Sequence, residues 1–170
     1  MKNRFFIFIL FTTMSTAAQQ ATVKGAFLEK WENSKTYLID IADQMPEEHF
    51  DFKPTEQQRT FQEQLLHIKG NIDWLSGSYF SSSEYKKEAL PETLTKAETL
   101  ELLKASFEAA AVLIEATSEE TLSDTVSFFA GPKTKLQILN LLQDHVTHHR
   151  GQLLVYLNLK DIKPHRYVGW

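Results

Sequence analysis

Apolar residues recur every three or four positions over four long stretches of the chain, a spacing that places them on one face of an α-helix. The first stretch is followed by Pro46, and Gly25 weakens its early part because glycine is a poor helix former. The other three stretches contain no internal proline. The pattern therefore predicts four helices, at about residues 22–44, 60–79, 95–117 and 134–159.

Three of these stretches begin with a capping signature, a threonine followed three positions later by glutamate or glutamine. The threonine oxygen can accept a hydrogen bond from the backbone N–H of that third residue, whose side chain reaches back to the N–H of the threonine. This exchange fixes the first turn of a helix. The three pairs are Thr60 with Glu63, Thr95 with Glu98, and Thr134 with Gln137.

Strand-like patterns are sparse by comparison. Only "TVSFFAG", residues 125–131, has strand character, and it is too short to form a sheet by itself, so we interpret it as an extended connection into the last helix. Four helices joined by loops of about a dozen residues predict an all-α fold, an antiparallel four-helix bundle, with one longer crossover connection as a variant. An all-α domain without any site would have the same pattern, so the architecture does not determine function.

The start of the chain has the three-part layout of a secretory signal peptide. Lys2 and Arg4 precede the apolar residues 5–11, and the small residue Ala18 fits a cleavage site before Gln19. The apolar part is far too short to span a bilayer as a stop-transfer helix.

We therefore expect two parts, a signal peptide of residues 1–18 and a bundle domain of residues 19–170. The mature protein would be exported to the periplasm or the extracellular space. The alternative is an uncleaved N-terminus that holds the protein at a membrane. No other segment approaches 18 consecutive apolar residues, so we expect no membrane span after cleavage.

Composition narrows the classes of function. Loss of Lys2 and Arg4 with the signal peptide would change the formal net charge from −4 to −6, and no basic stripe remains, so we expect no nucleic-acid partner. Cysteine is absent, which excludes disulfides, a thiol nucleophile and cysteine-ligated zinc. A small-molecule substrate remains open as a partner.

The most informative stretch is "DHVTHHRGQLLVYLNL", residues 144–159, which contains three of the six histidines. Histidines on one helix can share a metal only at a spacing of three or four residues, because such side chains lie one turn apart. His145 can therefore pair with His148 or with His149, whereas His148 and His149 point about 100° apart.

The apolar register distinguishes the two pairs. His145 and His149 occupy the stripe that faces the interior of a bundle, and His148 falls at its edge. Two imidazoles in succession at core positions are costly unless their nitrogens have partners. A metal is one such partner, and hydrogen bonds within the core are the alternative. The stripe consists of Ile138, Leu142, His145, His149, Gln152 and Tyr156.

A third ligand would have to come from another helix. His67, in "EQLLHIKGNIDWL", is the best candidate, although it would also suit a half-buried helix face without a ligand. His49, in an acidic loop, and His165, in the C-terminal tail, are expected to be solvated. Three histidines would leave a coordination position open, as in catalytic sites, and imidazole suits zinc, nickel, copper or iron.

Four segments of the chain resemble the DinB/YfiT-like family of metal-dependent enzymes. The resemblance covers nearly the whole mature chain, and its most specific part is the last segment, with its histidine-arginine-glycine-glutamine sequence. The segments are "MPEEHFDFKP", "RTFQEQLLHI", "VSFFAGPKTKLQILNLLQDHVTHH" and "HHRGQLLVYLNLKDIKPHRY".

The resemblance implies a four-helix bundle, often a homodimer, with a divalent transition metal held by three histidines. Matched by position, these ligands are His67, His145 and His149, in agreement with the register argument. Zinc or nickel is the metal we expect. Relatives with this fold include transferases and isomerases that use low-molecular-weight thiols in the cytosol, whereas the predicted signal peptide indicates export.

These observations lead to two functional hypotheses. The first is a metal-dependent hydrolase or group transferase, in which Gln152 and Arg150 are candidates for contacting a substrate or supporting the ligands. The second is a non-catalytic bundle that binds a metal or ligand, or that serves as a dimeric interaction module. No general base is identified, and Asp144 is expected to be a solvated charge.

Overall fold

The computed structural model describes residues 22–168, and four α-helices account for most of them. The predicted all-α bundle of four helices is confirmed. The predicted signal peptide, residues 1–18, lies outside the described residues. The helices are α1 (Val23–Gln44), α2 (Phe61–Tyr79), α3 (Lys96–Glu115) and α4 (Lys135–Leu159).

All three predicted capping boxes are present. At the start of α2, the Glu63 N–H donates to the Thr60 hydroxyl oxygen at 3.1 Å, and the Thr60 N–H donates to the Glu63 carboxylate at 2.7 Å. The same exchange begins α3 and α4. A simpler cap begins α1, where the hydroxyl oxygen of Thr22 accepts from the Gly25 N–H. Local sequence therefore determines where each helix begins.

Each helix packs against two neighbours, since α1 and α2 both lie against α3 and α4. The start of α1 contacts the end of α3, where the Lys24 ammonium donates to the Thr117 carbonyl. These two helices therefore run antiparallel. The start of α2 contacts the start of α3 through a hydrogen bond from the Gln62 amide to the Thr99 hydroxyl, so α2 and α3 run in the same direction.

Because α2 and α3 run in the same direction, a long connection must join the end of α2 to the start of α3. Residues 80–95 contain no helix or strand and must return along the full length of α2, which is about 28 Å at 1.5 Å per residue. The longer crossover predicted as a variant is this segment. On the other side of the bundle, α4 runs antiparallel to α2 and in the same direction as α1, as contacts from Gln64 to Gln152 and from Gln44 to Lys163 show.

The core lies between the four helices, and large aromatic side chains are buried in it. The Trp31 indole N–H donates to the backbone carbonyl of Phe107 at 3.0 Å, which joins α1 to α3 while both rings stay buried. On α4 the buried surface is wider than the predicted stripe, because a second row faces the interior as well. That row contains Leu139, Val146, Arg150, Leu153 and Leu157.

The connection between α3 and α4 folds back on itself. After a short 3-10 helix, Glu119–Ser123, strand β1 (Thr125–Val126) pairs antiparallel with β2 (Lys133–Thr134). The predicted extended connection is thus one arm of a small hairpin. The sequence pattern missed the hairpin because the second arm is only two residues long and lacks strand character of its own.

No helix within residues 22–168 combines the length and the apolar character needed to cross a membrane.

Candidate metal centre

Three histidines from two helices meet on one side of the bundle. His67 lies in the middle of α2, and His145 and His149 lie one turn apart on α4, which packs against α2. One nitrogen from each ring can be chosen so that all three atoms lie within 4.8 Å of one another. The predicted trio is therefore brought together by the antiparallel packing of these two helices.

One distance within the cluster suits a tetrahedral ion. The Nε2 atoms of His67 and His145 are 3.2 Å apart. Two nitrogens bound to one zinc at its usual bond length would lie about 3.3 Å apart in a tetrahedral arrangement. The ring of His149 packs against both of the other rings, with centroids 4.6 Å from His67 and 4.4 Å from His145.

The remaining histidines do not belong to the cluster. His148 is exposed on α4, as the register predicted, and its Nε2 lies 3.3 Å from the amide nitrogen of Gln152. His165 is exposed in the C-terminal tail, as expected. His49 was also expected to be solvated, but it is half-buried at the end of the 3-10 helix Glu47–His49.

Two glutamines support His149. The Nδ1 of His149 lies 2.8 Å from the side-chain oxygen of Gln152, so this nitrogen carries the proton and Nε2 keeps its lone pair. The same oxygen accepts from the amide of Gln64 on α2, whose side chain is fully buried. Gln152 was a candidate from the sequence, whereas Gln64 was missed. Its position three residues before His67, one turn away on the same helix, was the available signal.

The histidines of the cluster favour the neutral state. Burial lowers the pKa of His67 to about 4 and the pKa of His145 to about 3, and it lowers the pKa of His149 as well. The positive charge of Arg59 contributes in the same direction to all three pKa values. Neutral imidazole is the form that binds metal ions, so protons compete weakly for this cluster.

The hydrogen bonding of His145 is incomplete. Its Nε2 faces His67, and its Nδ1 is buried without a hydrogen-bond partner in the described part of the chain. A core histidine and a metal-bound histidine would both be expected to have a partner at that nitrogen. The observation that favours a metal ligand is therefore the contact of the His145 Nε2 with His67.

Arg150 and Asp144 lie away from the cluster. Arg150 is buried on the side of α4 that faces α1, where its guanidinium stacks over the ring of Tyr37 at 4.8 Å from the centroid. Burial lowers the pKa of this arginine. Asp144 is exposed, as expected. Of the two substrate or supporting candidates, the described contacts join only Gln152 to the histidines.

A cleft of about 980 Å³ opens beside the cluster along the outer face of α2. Of the three clustered histidines, only His67 lines it. Residues of the 80–95 crossover form the opposite wall. The site therefore has a space of the size that holds a small molecule.

Comparison with known proteins gives consistent results. Residues 14–160 match the model of the DinB family. In sequence, the chain is 26% identical over 126 residues to the uncharacterized protein YjoA of Bacillus subtilis (strain 168), covering 69% of this chain and 78% of that protein.

Crystal structures of two DinB-like proteins have a similar fold. The structure of YjoA from Bacillus subtilis is similar with a TM-score of 0.71 and 19% identity, covering 84% of this chain and 96% of that one. A DinB-like protein from Bacillus cereus ATCC 10987 gives a TM-score of 0.70 at 20% identity, with 86% and 98% covered.

Proposed function

The chain belongs to the DinB family, and we propose that it binds a divalent transition metal through His67, His145 and His149 and acts there as a hydrolase or group transferase. Zinc or nickel suits a set of three neutral imidazoles. The single observation that carries this proposal is the convergence of the three rings, with nitrogen atoms of two of them 3.2 Å apart.

The residues around the cluster fit the proposed role. Gln152 holds the proton on Nδ1 of His149 and so leaves the lone pair on Nε2 free to bind a metal. Gln64 fixes the amide of Gln152 from the opposite helix. When bound with an open coordination position, a divalent metal supplies Lewis-acid activation of a carbonyl, a water or a thiol.

A second candidate function is metal or ligand binding without turnover. One observation favours it, because the cluster of possible metal ligands in the described residues consists of histidines and includes no carboxylate. A hydrolase would need a group that accepts a proton near the reacting atoms. In the catalytic proposal, that group belongs to the substrate or to solvent.

Elemental analysis of the purified protein tests the ligand set. We expect about one metal ion per chain in the wild type and a loss of most of it in His67→Ala and His149→Ala. His148→Ala is the matched control, since it removes a neighbouring histidine that lies outside the cluster. Equal metal content in all four proteins would overturn the assignment.

Turnover distinguishes the two candidate functions. The metal-loaded wild type would be tested on panels of esters, amides and thiol conjugates, beside the same protein after chelation. Turnover that needs both the metal and His67 supports the enzyme. Full metal occupancy without turnover on any panel supports the binding function instead.

Export and dimerisation are separate proposals. The layout of residues 1–18 supports export with cleavage before Gln19, and N-terminal mass spectrometry of protein recovered from cell fractions tests it. An intact N-terminus in the membrane fraction would indicate an anchor instead. The family resemblance supports a homodimer, which sedimentation analysis tests directly.

A further inference from the structure

The cleft beside the cluster has chemically different ends. It follows the outer face of α2 from Arg59, just before the first turn, past His67 in the middle, to Trp74 near the end. The ring of Trp74 is half-buried and stacks against Phe128 of the hairpin at 6.0 Å between centroids. The cleft thus runs from a cationic end to an aromatic end, with the proposed metal ligand between them.

Gly70 forms part of the floor, one turn beyond His67. Glycine inside a helix is less stable than alanine by about 1 kcal/mol. A close packing contact could explain its presence, but a Cβ atom built on Gly70 meets nothing within 4 Å. The space that the missing side chain leaves open belongs to the cleft, so the glycine widens the path between His67 and Trp74.

The charges of the cleft are unevenly paired. Lys69 is buried and its ammonium is bound by Asp73 at 2.7 Å and by Glu88 at 3.4 Å, so these three charges largely neutralise one another. The carboxylate of Glu63 accepts from the N–H at the start of α2. Arg59 forms no ion pair with any residue in the range 22–168, and neither does Lys87 on the opposite wall.

The backbone of Arg59 is held beside the cluster, while its side chain is exposed. The hydroxyl of Tyr156, two turns beyond His149 on α4, donates to the backbone carbonyl of Arg59 at 2.9 Å. The guanidinium of Arg59 is close enough to influence all three histidines electrostatically. A bound divalent cation would add to this positive charge, and an anionic ligand would complement it.

We propose that the cleft binds a small carboxylate that also carries a flat apolar group. The carboxylate pairs with Arg59, the chain of the molecule passes His67, and the flat group lies over Gly70 toward Trp74. Guanidinium and carboxylate form the strongest class of charge-assisted hydrogen bonds in proteins. This inference names the substrate class of the proposed metal site and rests on that proposed function.

Two fluorescent probes that differ in one charge test the carboxylate. Dansylglycine carries a flat aromatic group and a carboxylate, and its N-methylamide is neutral but otherwise similar. Each would be titrated into the purified full chain, as isolated and after chelation, with dansyl fluorescence as the readout. We expect the wild type to bind dansylglycine at least about tenfold more tightly than the amide, in keeping with one charge-assisted pair.

Arginine variants identify the residue responsible. Arg59→Gln should bind both probes with similar affinity, because the preference depends on the guanidinium. Arg166→Gln makes the same chemical change in the exposed C-terminal tail, outside the cleft, and should keep the wild-type preference. Equal binding of the two probes by the wild type, or an undiminished preference in Arg59→Gln, overturns the proposal.

Glycine variants test the floor independently. Gly70→Ala and Gly151→Ala each add one methyl group to a helix where the Cβ atom meets nothing within 4 Å, so both should raise the melting temperature. Only Gly70→Ala should weaken binding of both probes, by about tenfold, because only its methyl group enters the cleft. Unchanged binding in Gly70→Ala overturns the placement of the flat group.

The metal analysis and the probe titrations test the metal site and the carboxylate site separately. If the histidine variants keep the wild-type metal content, the ligand set fails while a probe preference that depends on Arg59 still stands. If the histidine variants lose metal but the probes bind equally, the metal site stands and the carboxylate assignment fails.

Discussion

His148 and His149 are adjacent in sequence and have different surroundings. His149 is buried against His67, whereas His148 is exposed, because neighbouring positions on a helix differ by about 100° in direction. The helical register therefore predicts which side of α4 each ring occupies. It does not predict the contacts of His149 with Gln64 and Gln152, since these depend on how α2 is placed against α4.

Replacing Gln152 with leucine tests the support of His149. Gln152→Leu removes the oxygen that accepts from Nδ1, so we expect a metal affinity about 10- to 100-fold lower, with unchanged stoichiometry at saturation. The variant should also lose about 1–3 kcal/mol of stability, because the buried amide of Gln64 loses its acceptor. Competition with a chromophoric chelator measures the affinity of the folded protein.

Gln143→Leu is the matched control for this prediction. Gln143 lies on the same helix, and its amide donates to the hydroxyl of Ser34 on α1, away from the histidines. It should keep the wild-type metal affinity. Similar affinities for the Gln152→Leu variant and the wild type would show that Gln152 does not support the metal ligand.

At the scale of elements, the crossover between α2 and α3 has the largest functional consequence. It forms one wall of the cleft, and it rests on α2 at Gly77, where an added Cβ atom would come within 2.8 Å of the Tyr85 ring. The absence of a side chain at Gly77 thus allows the ring of Tyr85 to lie directly on the helix. Gly70 and Gly77, both on α2, consequently have different physical reasons to be glycine.

Alanine at Gly77 should have the opposite effect to alanine at Gly70. In Gly77→Ala the gain in helix propensity is offset by displacement of Tyr85, so we expect no increase in melting temperature and faster proteolysis of the crossover. Adding Tyr85→Ala should remove the conflict, so that Gly77→Ala becomes stabilising in that background. Equal stabilisation by Gly77→Ala with or without Tyr85 would contradict this account.

At the scale of the whole molecule, the histidine cluster joins two helices that are far apart in sequence. A metal bound by His67 and by both histidines of α4 binds the folded chain and not the unfolded one, so it stabilises the fold. At a free metal concentration of 100 times the dissociation constant, we expect about 2.7 kcal/mol of added stability. Urea unfolding with and without a chelator measures this difference.

Histidine variants give this prediction its controls. His67→Ala should lose most of the stabilisation by metal, and His148→Ala should keep it, since only the first belongs to the cluster. Equal stabilisation of both variants would show that the metal acts elsewhere on the chain.

The metal-free protein should lose stability as the pH falls. The pKa of His67 is lowered to about 4 and that of His145 to about 3 in the folded state, mainly by burial, whereas an unfolded histidine has a pKa of about 6.5. Below pH 6.5 the unfolded chain therefore binds protons that the folded chain does not. Stability should decline from about pH 6.5 down to about pH 4.

A leucine variant isolates the contribution of the cluster to this decline. His145→Leu removes one buried imidazole, so its stability should fall less steeply over the same pH range in chelator-treated protein. His148→Leu makes the same change outside the cluster and should follow the wild type. Parallel curves for His145→Leu and the wild type would contradict the assignment. Urea midpoints at several pH values provide the data.

The sequence by itself determines the helices and the inward direction of His145 and His149. Capping by Thr60, Thr95 and Thr134 and the three-to-four periodicity involve residues within one turn of each other, so they can be recognised without the tertiary structure. The sequence could suggest His67 as the third metal ligand, because it lies within a predicted helix. Only the packing of α2 on α4 brings it next to the other two histidines.

Only the tertiary structure decides which distant side chains share an environment. Packing places Gln64 against Gln152, brings Arg59 beside the cluster through Tyr156, and turns Arg150 toward Tyr37 on α1. It also forms the cleft, because the crossover, residues 80–95, runs back along α2 and so forms the second wall. These contacts depend on the relative placement and direction of whole helices, which no periodicity within a single helix specifies.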